Sequence, residues 1–106
     1  MPTVRVAGVG LTPFGDHGDR AGRDLFAEAA AAAIDDAGVD RQAIDRLEYG
    51  NFMGALAEQQ AHQAPLMAEA AGLTCPATRY EEACASAGVA VKAGVEAIRA
   101  GTADLV

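Results

Sequence analysis

Few side chains in this sequence have the chemistry of a nucleophile or a general base. Two cysteines, Cys75 and Cys84, and two histidines, His17 and His62, occur among the 106 residues. The cysteines form no CxxC pair and have no Cys/His spacing of the kind that binds zinc. Two cysteines are also too few for a disulfide scaffold. At least one of them therefore calls for another explanation.

Cys84 is the stronger candidate for a nucleophile, because it comes at the start of a predicted helix that begins near Ala83. Unpaired backbone N–H groups at a helix start stabilise an anion such as a thiolate. Only small residues surround the cysteine, which leaves room for a substrate carbonyl to reach its sulfur. The residues alone leave open that Cys84 is a small core residue. A redox pair with Cys75 is a weaker alternative, because the CxxC spacing of redox motifs is missing.

The remaining candidates for chemistry carry little weight. His17 falls in a predicted loop and His62 on a predicted helix, and we expect both to be surface or capping residues. Gly8 and Gly10 follow a predicted strand, as in dinucleotide-binding loops, but Pro13 occupies the position of the third glycine. We therefore expect no metal and no permanently bound cofactor.

Composition limits the classes of partner. Apolar residues make up 51% of the chain and aromatic residues only 5%, so the core must consist mainly of Ala, Val, Leu and Ile. Eight Lys and Arg against fifteen Asp and Glu give a net charge of −7, which disfavours nucleic acids and anionic membranes as partners. No apolar stretch approaches membrane-spanning length, and the first residues lack the pattern of a signal peptide. We expect a cytoplasmic protein.

The elements that must position Cys84 alternate between strands and helices. The predicted elements are a strand over residues 4–10, a helix over 23–37, a strand over 46–51, a helix over 57–71, a strand over 77–80, a helix over 83–99 and a strand from 103 onward. Glycines mark the ends of the helices, as Gly38 does after the first. The last helix is apolar nearly all round, apart from Lys92, Glu96 and Arg99, which predicts a buried helix.

This order of elements predicts an α/β fold with a largely parallel sheet, right-handed crossovers and helices on both faces. The helix that begins near Cys84 is expected to be buried within it. The last predicted strand has barely begun at Val106. We therefore interpret residues 1–106 as one incomplete domain of a longer protein.

Several segments resemble the thiolase family in order along nearly the whole chain. Glu82-Ala83-Cys84-Ala85-Ser86-Ala87-Gly88-Val89-Ala90 is similar to the thiolase segment in which Cys-x-Ser-Gly opens the central helix. Further similar segments are 6–15 for the first strand and loop, Asp24-Leu25 with Glu28-Ala29 for the first helix, Asp36-Ala37-Gly38 for its end, Gly72-Leu73, and Gly101-Thr102-Ala103-Asp104. Ala87 departs from the motif, since it stands where the motif usually has glycine. We expect this change to tighten the site slightly.

The resemblance implies that these residues are part of the N-terminal half of a thiolase-like fold. It also implies that Cys84 is the nucleophile that accepts an acyl group from a coenzyme A thioester. In this family, which includes acetyl-CoA acetyltransferases and 3-ketoacyl-CoA thiolases, a second acetyl-CoA then condenses with the acyl group, or the reverse thiolysis occurs, as a reaction of lipid metabolism. A histidine and a second cysteine that complete the chemistry belong to the C-terminal half of such proteins. No residue here matches either one, so these residues alone are expected to be inactive.

The resemblance further implies a partner and leaves two alternative functions. Thiolases are two-fold dimers that pair through a sheet edge near the nucleophile, and the predicted strand at 77–80 is such an edge. The alternative enzymes are condensing relatives that share the cysteine, namely ketoacyl synthases and hydroxymethylglutaryl-CoA synthases. The alternative outside catalysis is a thiolase-like scaffold subunit that passes substrate to a partner.

Overall fold

The computed structural model describes residues 2–106, which form helices packed around a small β-sheet. In chain order the elements are α1 (Gly22–Ala37), a 3-10 turn (Arg41–Ala43), β1 (Leu47–Gly50), α2 (Gly54–Ala57), α3 (Gln63–Ala70), β2 (Ala77–Tyr80) and α4 (Ser86–Arg99). This order confirms the predicted α/β class. The predicted first helix and the two predicted strands over 46–51 and 77–80 are confirmed as α1, β1 and β2.

Helix α1 begins and ends as its sequence predicts. At its start, Asp24 accepts a hydrogen bond from the Ala21 amide at 3.0 Å, and Glu58 accepts one from the Gly22 amide at 3.2 Å. Negative side chains at this end also oppose the positive end of the helix dipole. At its other end Gly38 has φ of 66°, and its amide bonds to the Ile34 carbonyl at 3.1 Å. A left-handed glycine is the usual way to end a helix.

The sheet consists of β1 and β2 in parallel, with Leu47 opposite Ala77 and Gly50 opposite Tyr80. Helices α2 and α3 connect the two strands, as a crossover between parallel strands requires. Alternation along β1 sends Tyr49 to one face, where it packs with Met67 of α3 and meets the ring of Phe26 of α1 at 5.5 Å. The next residue, Gly50, lies against the start of α4 on the opposite face. Helices therefore cover both faces of the sheet, as predicted.

The predicted strand over residues 4–10 does not form. Its backbone lies against α1 instead, where Cβ atoms added at Gly8 and Gly10 would come within 2.6 Å of the Ala37 and Ala33 amide nitrogens. The other side of the segment is open, with Val9 68% exposed. A strand is defined by hydrogen bonds to a neighbour, and no strand within residues 2–106 lies beside this segment.

The predicted helix over 57–71 forms only as α3, and the short helix α2 lies almost wholly before the predicted start. Helix α2 ends at Ala57, and α3 starts at Gln63 after a turn in which Gln59 has a φ of 53°. Pro65 explains the break, because proline has no N–H and is tolerated in the first turn of a helix but not in its interior. The helix must therefore begin only just before Pro65.

Helix α4 begins at Ser86, three residues later than predicted, and is buried along one face only. Ser86, Ala90, Gly94 and Ala97 are buried, while Val91 on the opposite side is 67% exposed. The sequence predicts a buried helix with one polar edge, at Lys92, Glu96 and Arg99, and these three residues are exposed. The exposed part of α4 is wider than this edge within residues 2–106, because the two-stranded sheet covers only one side of the helix. Neither α4 nor another helix among residues 2–106 is long and apolar enough to cross a lipid bilayer.

The predicted strand from residue 103 onward is also absent. Its amides bond to a side chain instead, since Asp104 and Leu105 both donate to Asp45 Oδ2, at 2.7 and 3.0 Å. The Asp45 amide returns one bond to the Leu105 carbonyl at 2.8 Å. The Asp45 carboxylate therefore takes the place of the strand hydrogen bonds that the pattern predicted. It joins the end of the described chain to the residues just before β1.

Replacing Asp45 by alanine should lower stability at neutral pH and have less effect in acid. The amides of Asp104 and then Leu105 hold the pKa of the Asp45 carboxyl below its ordinary value of 3.8. A carboxyl whose folded pKa is depressed contributes stability above the unfolded pKa and loses it as pH falls through the folded pKa. Urea unfolding of the full-length protein and of Asp45→Ala between about pH 7 and about pH 3 measures this difference.

Asp104→Ala is the matched control, because it also replaces an aspartate by alanine but leaves the backbone amide that Asp45 binds. Asp104→Ala should lose less stability than Asp45→Ala at neutral pH. A deficit of Asp45→Ala that stays constant down to the acid end would contradict the assignment.

Candidate active site

Cys84 lies in a short turn after the carboxyl end of β2, which we name the cysteine turn (residues 81–86). Its thiol is free, and the residue is exposed. Exposure excludes the alternative that Cys84 is a core residue of the described part of the chain. Cys75 is also a free thiol and is half-buried. The carboxyl ends of strands in open α/β sheets are where such folds bind their ligands.

Cys84 comes before α4 instead of within its first turn. Two of the amides that the sequence predicted to be unpaired are already bonded. The Ala85 amide donates to the Glu82 carbonyl at 2.9 Å, and the Ser86 amide to the Ala83 carbonyl at 3.2 Å. The prediction that Cys84 stands in the first turn of the helix is therefore wrong by two residues, because the chain makes a tight turn first.

That turn is strained at Ala83, whose φ is 50°. A left-handed conformation costs a residue with a Cβ about 1 to 2 kcal/mol. Hydrogen bonds hold it in place: Glu81 Oε2 accepts from the Ala83 amide at 2.7 Å, and the Ser86 hydroxyl donates to the Ala83 carbonyl at 2.7 Å. The same hydroxyl accepts from the Glu82 amide at 2.9 Å. The backbone of the two residues before Cys84 is therefore held by neighbouring side chains.

The end of β1 contacts the start of α4, next to the cysteine turn, at Gly50. A Cβ added there would lie 2.5 Å from the Ala87 amide nitrogen and in closer conflict with the Ser86 carbonyl oxygen. Only glycine lets the strand backbone approach the helix start this closely. Gly50 therefore sets the distance between the sheet and the residues that carry Cys84.

Asn51 and Arg79 hold the carboxyl ends of the two strands together. The Asn51 amide donates to the Tyr80 carbonyl at 3.3 Å, and Arg79 Nε donates to the Asn51 carbonyl at 3.1 Å. The Asn51 side chain accepts from the Gly54 amide at 2.7 Å, which caps α2, and donates to the Tyr49 hydroxyl at 3.0 Å. Burial raises the pKa of Tyr49, so its hydroxyl stays protonated at neutral pH.

A buried carboxylate lies on the face of β1 that α4 covers. The side chain of Glu48 is only 3% exposed, and Arg46 Nη2 approaches its Oε1 to 2.8 Å. Burial, and then the neighbouring Glu48, raise the pKa of Tyr80. Buried ion pairs of this kind contribute little net stability, but removal of one partner leaves an uncompensated charge. Glu48 is therefore a buried structural charge beneath α4, paired with Arg46 just before the same strand.

The two histidines lie outside the cysteine turn and the strand ends next to it. His17 Nε2 hydrogen-bonds to the Pro13 carbonyl at 2.7 Å in the loop before α1, and His62 is exposed just before α3. Within residues 2–106, no three His, Cys, Asp or Glu side chains are grouped closely enough to hold a metal ion.

The sequence predicts Cys84 as a site residue but does not reveal the residues that hold its turn. Ser86 stands out in the sequence only as a small residue and as the serine of the Cys-x-Ser-Gly motif, and nothing there singles out Gly50 or Glu81. A glycine near the end of a predicted strand is a recognisable signal, since it often marks a close backbone approach. No sequence pattern predicts the role of Glu81, because that role depends on the left-handed conformation of Ala83, which alanine rarely adopts.

Replacing Gly50 by alanine should destabilise the protein, because the added methyl group meets backbone atoms that cannot rotate away. Overpacking of this kind costs about 1 to 3 kcal/mol. Gly88→Ala is the matched control, since nothing lies within 4 Å of a Cβ added at Gly88. Alanine in that helical position should be neutral or stabilise by up to about 1 kcal/mol. Equal unfolding midpoints for the two variants would show that the Gly50 contact is not tight.

Comparison with known proteins gives these residues a family. The sequence matches the thiolase N-terminal domain over residues 4–106. An acetyl-CoA acetyltransferase of Methanothermobacter thermautotrophicus is 43% identical over 107 aligned residues, which cover 100% of this chain and 28% of that protein. One of Methanocaldococcus jannaschii is 40% identical, covering 100% of this chain and 27% of that protein. The chain thus spans little more than a quarter of the length of these relatives. Because the family match takes in residues 4–106, the chain belongs to the thiolase family, and the match falls on that family's N-terminal domain.

Proposed function

We propose that the protein is a thiolase-type acyltransferase in which Cys84 carries the acyl group. The observation that supports this most is the exposed thiol of Cys84 on a turn whose backbone is held in one conformation. An exposed sulfur can be reached by a thioester carbonyl, and a fixed turn limits the directions of attack. Similarity to two proteins named acetyl-CoA acetyltransferase supports the same reaction class.

The proposed reaction has two steps. The Cys84 thiol first gives its proton to a base, and the resulting thiolate attacks the carbonyl carbon of an acyl-CoA. The bond from that carbon to the coenzyme A sulfur breaks, and coenzyme A leaves as a thiolate that takes up the proton from the base. A second acetyl-CoA, deprotonated at its α-carbon, then attacks the acyl-cysteine. A carbon–carbon bond forms, the thioester to Cys84 breaks, and 3-ketoacyl-CoA is released with the cysteine restored. Thiolysis is the same sequence in reverse.

Two further groups are required that residues 1–106 do not match. The family resemblance assigns activation of the nucleophile to a histidine and deprotonation of the second substrate to another cysteine, both in the C-terminal half. The phosphates of coenzyme A also attract positive groups, whereas this chain has a net charge of −7. We therefore propose that coenzyme A thioesters bind as substrates of the complete protein in the cytoplasm, and that residues 1–106 supply the nucleophile.

Incubation of the full-length protein with isotopically labelled acetyl-CoA should acetylate Cys84. Trypsin separates the two thiols, because cleavage after Arg79 and Lys92 releases residues 80–92 with Cys84, while Cys75 stays in residues 47–79. Mass spectrometry should find the added acetyl group on the 80–92 peptide. Cys84→Ser should abolish the label, and Cys75→Ser, the matched control, should keep it.

Absence of label on a folded protein would favour the alternative of a non-catalytic scaffold subunit. Label on residues 47–79 instead would show that the wrong cysteine had been assigned. Label on Cys84 followed by condensation with a donor other than acetyl-CoA would favour a ketoacyl synthase or hydroxymethylglutaryl-CoA synthase relative.

We further propose that the protein forms a two-fold dimer through the outer edge of β2. Among residues 2–106 only β1 pairs with β2, so the other edge of β2 has no described partner. The Leu47 and Asn51 amides donate to the Pro76 and Tyr80 carbonyls. Backbone groups of alternate residues in a strand face opposite edges, so the residue next to Tyr80 turns its backbone groups away from β1. The backbone N–H of Arg79 therefore faces this free edge, where a second copy can pair with it.

Light scattering on the full-length protein should give twice the mass of one chain. Arg79→Pro should shift the mass to that of a monomer, because proline removes the N–H that faces the edge. Arg79→Ala is the matched control: it loses the same side-chain bond to Asn51 but keeps the N–H, and should stay dimeric. A monomeric wild-type protein, or a dimeric Arg79→Pro variant, would contradict pairing through this edge.

A further inference from the structure

We propose that Ser86 is a positioning residue, which fixes the direction in which the sulfur of Cys84 points during acyl transfer. The inference rests on the proposed acyl transfer by Cys84. The Ser86 hydroxyl donates to the Ala83 carbonyl at 2.7 Å and accepts from the Glu82 amide at 2.9 Å. One buried oxygen therefore holds the two residues that precede the nucleophile.

The cysteine turn depends on such contacts because Ala83 is left-handed. A residue with a Cβ leaves that conformation unless its surroundings hold it there. Ala83 directly precedes Cys84, so a change in its dihedral angles rotates the next peptide and redirects the cysteine side chain. Glu81 Oε2 holds the Ala83 amide at 2.7 Å, and Ser86 holds the Ala83 carbonyl. Both polar backbone groups of the strained residue are therefore bound by side chains of the same turn.

Ser86 is placed so that loss of its hydroxyl cannot be made up easily. The residue is only 4% exposed, so water does not readily replace the lost partner. The Glu82 amide would lose this acceptor, and the Ala83 carbonyl would keep only the longer bond of 3.2 Å from the Ser86 amide. Gly50 lies directly against the Ser86 carbonyl, so the backbone cannot relax toward the sheet. The turn relaxes outward instead, and the sulfur takes up other directions.

A change in direction affects two reactions of the same thiol differently. A thioester held in a binding site meets the sulfur along one narrow path, so a small displacement costs a large factor in rate. A small alkylating reagent such as iodoacetamide approaches from solution along many paths. Comparison of the two rates therefore separates the direction of the sulfur from its general reactivity.

The first test measures the single-turnover acetylation of Cys84 at saturating acetyl-CoA in the full-length protein. Ser86→Ala should lower this rate constant by about 10- to 100-fold, while alkylation by iodoacetamide changes by less than about threefold. Ser86→Thr keeps the hydroxyl and should recover most of the acetylation rate. Thermal unfolding of each variant establishes that the reactions are compared in folded protein.

The second test uses two neighbouring glutamates and does not depend on whether Ser86→Ala folds. Glu81→Ala removes the carboxylate that binds the Ala83 amide, so it should slow acetylation more than alkylation. Glu82→Ala is the matched control, because it makes the same charge change next to Cys84 while the turn uses only the Glu82 backbone. It should leave the ratio of the two rates unchanged.

The outcomes separate the two proposals. A wild-type protein that is not acetylated overturns the acyl transfer itself. A wild-type protein that is acetylated, together with an equally fast Ser86→Ala variant, overturns the role of Ser86 and leaves acyl transfer standing. A parallel fall of acetylation and alkylation in Ser86→Ala, or equal effects of Glu81→Ala and Glu82→Ala, also overturns the positioning role.

Discussion

The direct backbone contact between the end of β1 and the start of α4 determines where everything else in the site lies. Gly50 brings strand atoms against the Ser86 carbonyl and the Ala87 amide with no side chain between them. Side chains can change rotamer, but backbone atoms in regular elements cannot move without disturbing the element. The cysteine turn is attached to this contact through Ser86. The position of Cys84 relative to the sheet is therefore set by backbone geometry.

The two faces of β1 make different kinds of contact. On one face Tyr49 packs with Met67 and Phe26, which joins the sheet to α3 and α1 by apolar contact. On the other face the strand presents Gly50 and the buried carboxylate of Glu48. A buried charge adds little net stability, but it penalises arrangements that leave it unpaired. The apolar face thus contributes hydrophobic burial, and the α4 face fixes how closely α4 approaches the strand.

The sequence predicts a helix or strand correctly where the signal lies within the segment itself. It fails where the element needs a hydrogen-bonding neighbour from elsewhere in the chain. Helix α1 has its own periodicity and a glycine at its end, and β1 and β2 are alternating runs bounded by turn residues. The segment over 4–10 has the composition of a strand, but composition supplies no hydrogen-bonding neighbour. The break before α3 was readable from Pro65. Motif and setting predict a role for Cys84, whereas the residues that hold its turn depend on contacts such as the one at Gly50.

Alanine at position 83 shows how a strained backbone conformation can fix the direction of the next side chain. Glycine would adopt a φ of 50° at no steric cost, but it would also populate many other conformations. Alanine has a narrow left-handed region, so once Glu81 and Ser86 hold it there, few alternatives remain. The cost of about 1 to 2 kcal/mol is offset by hydrogen bonds that each contribute about 1 kcal/mol. A strained residue held on both sides therefore defines the direction of the next side chain better than a relaxed one.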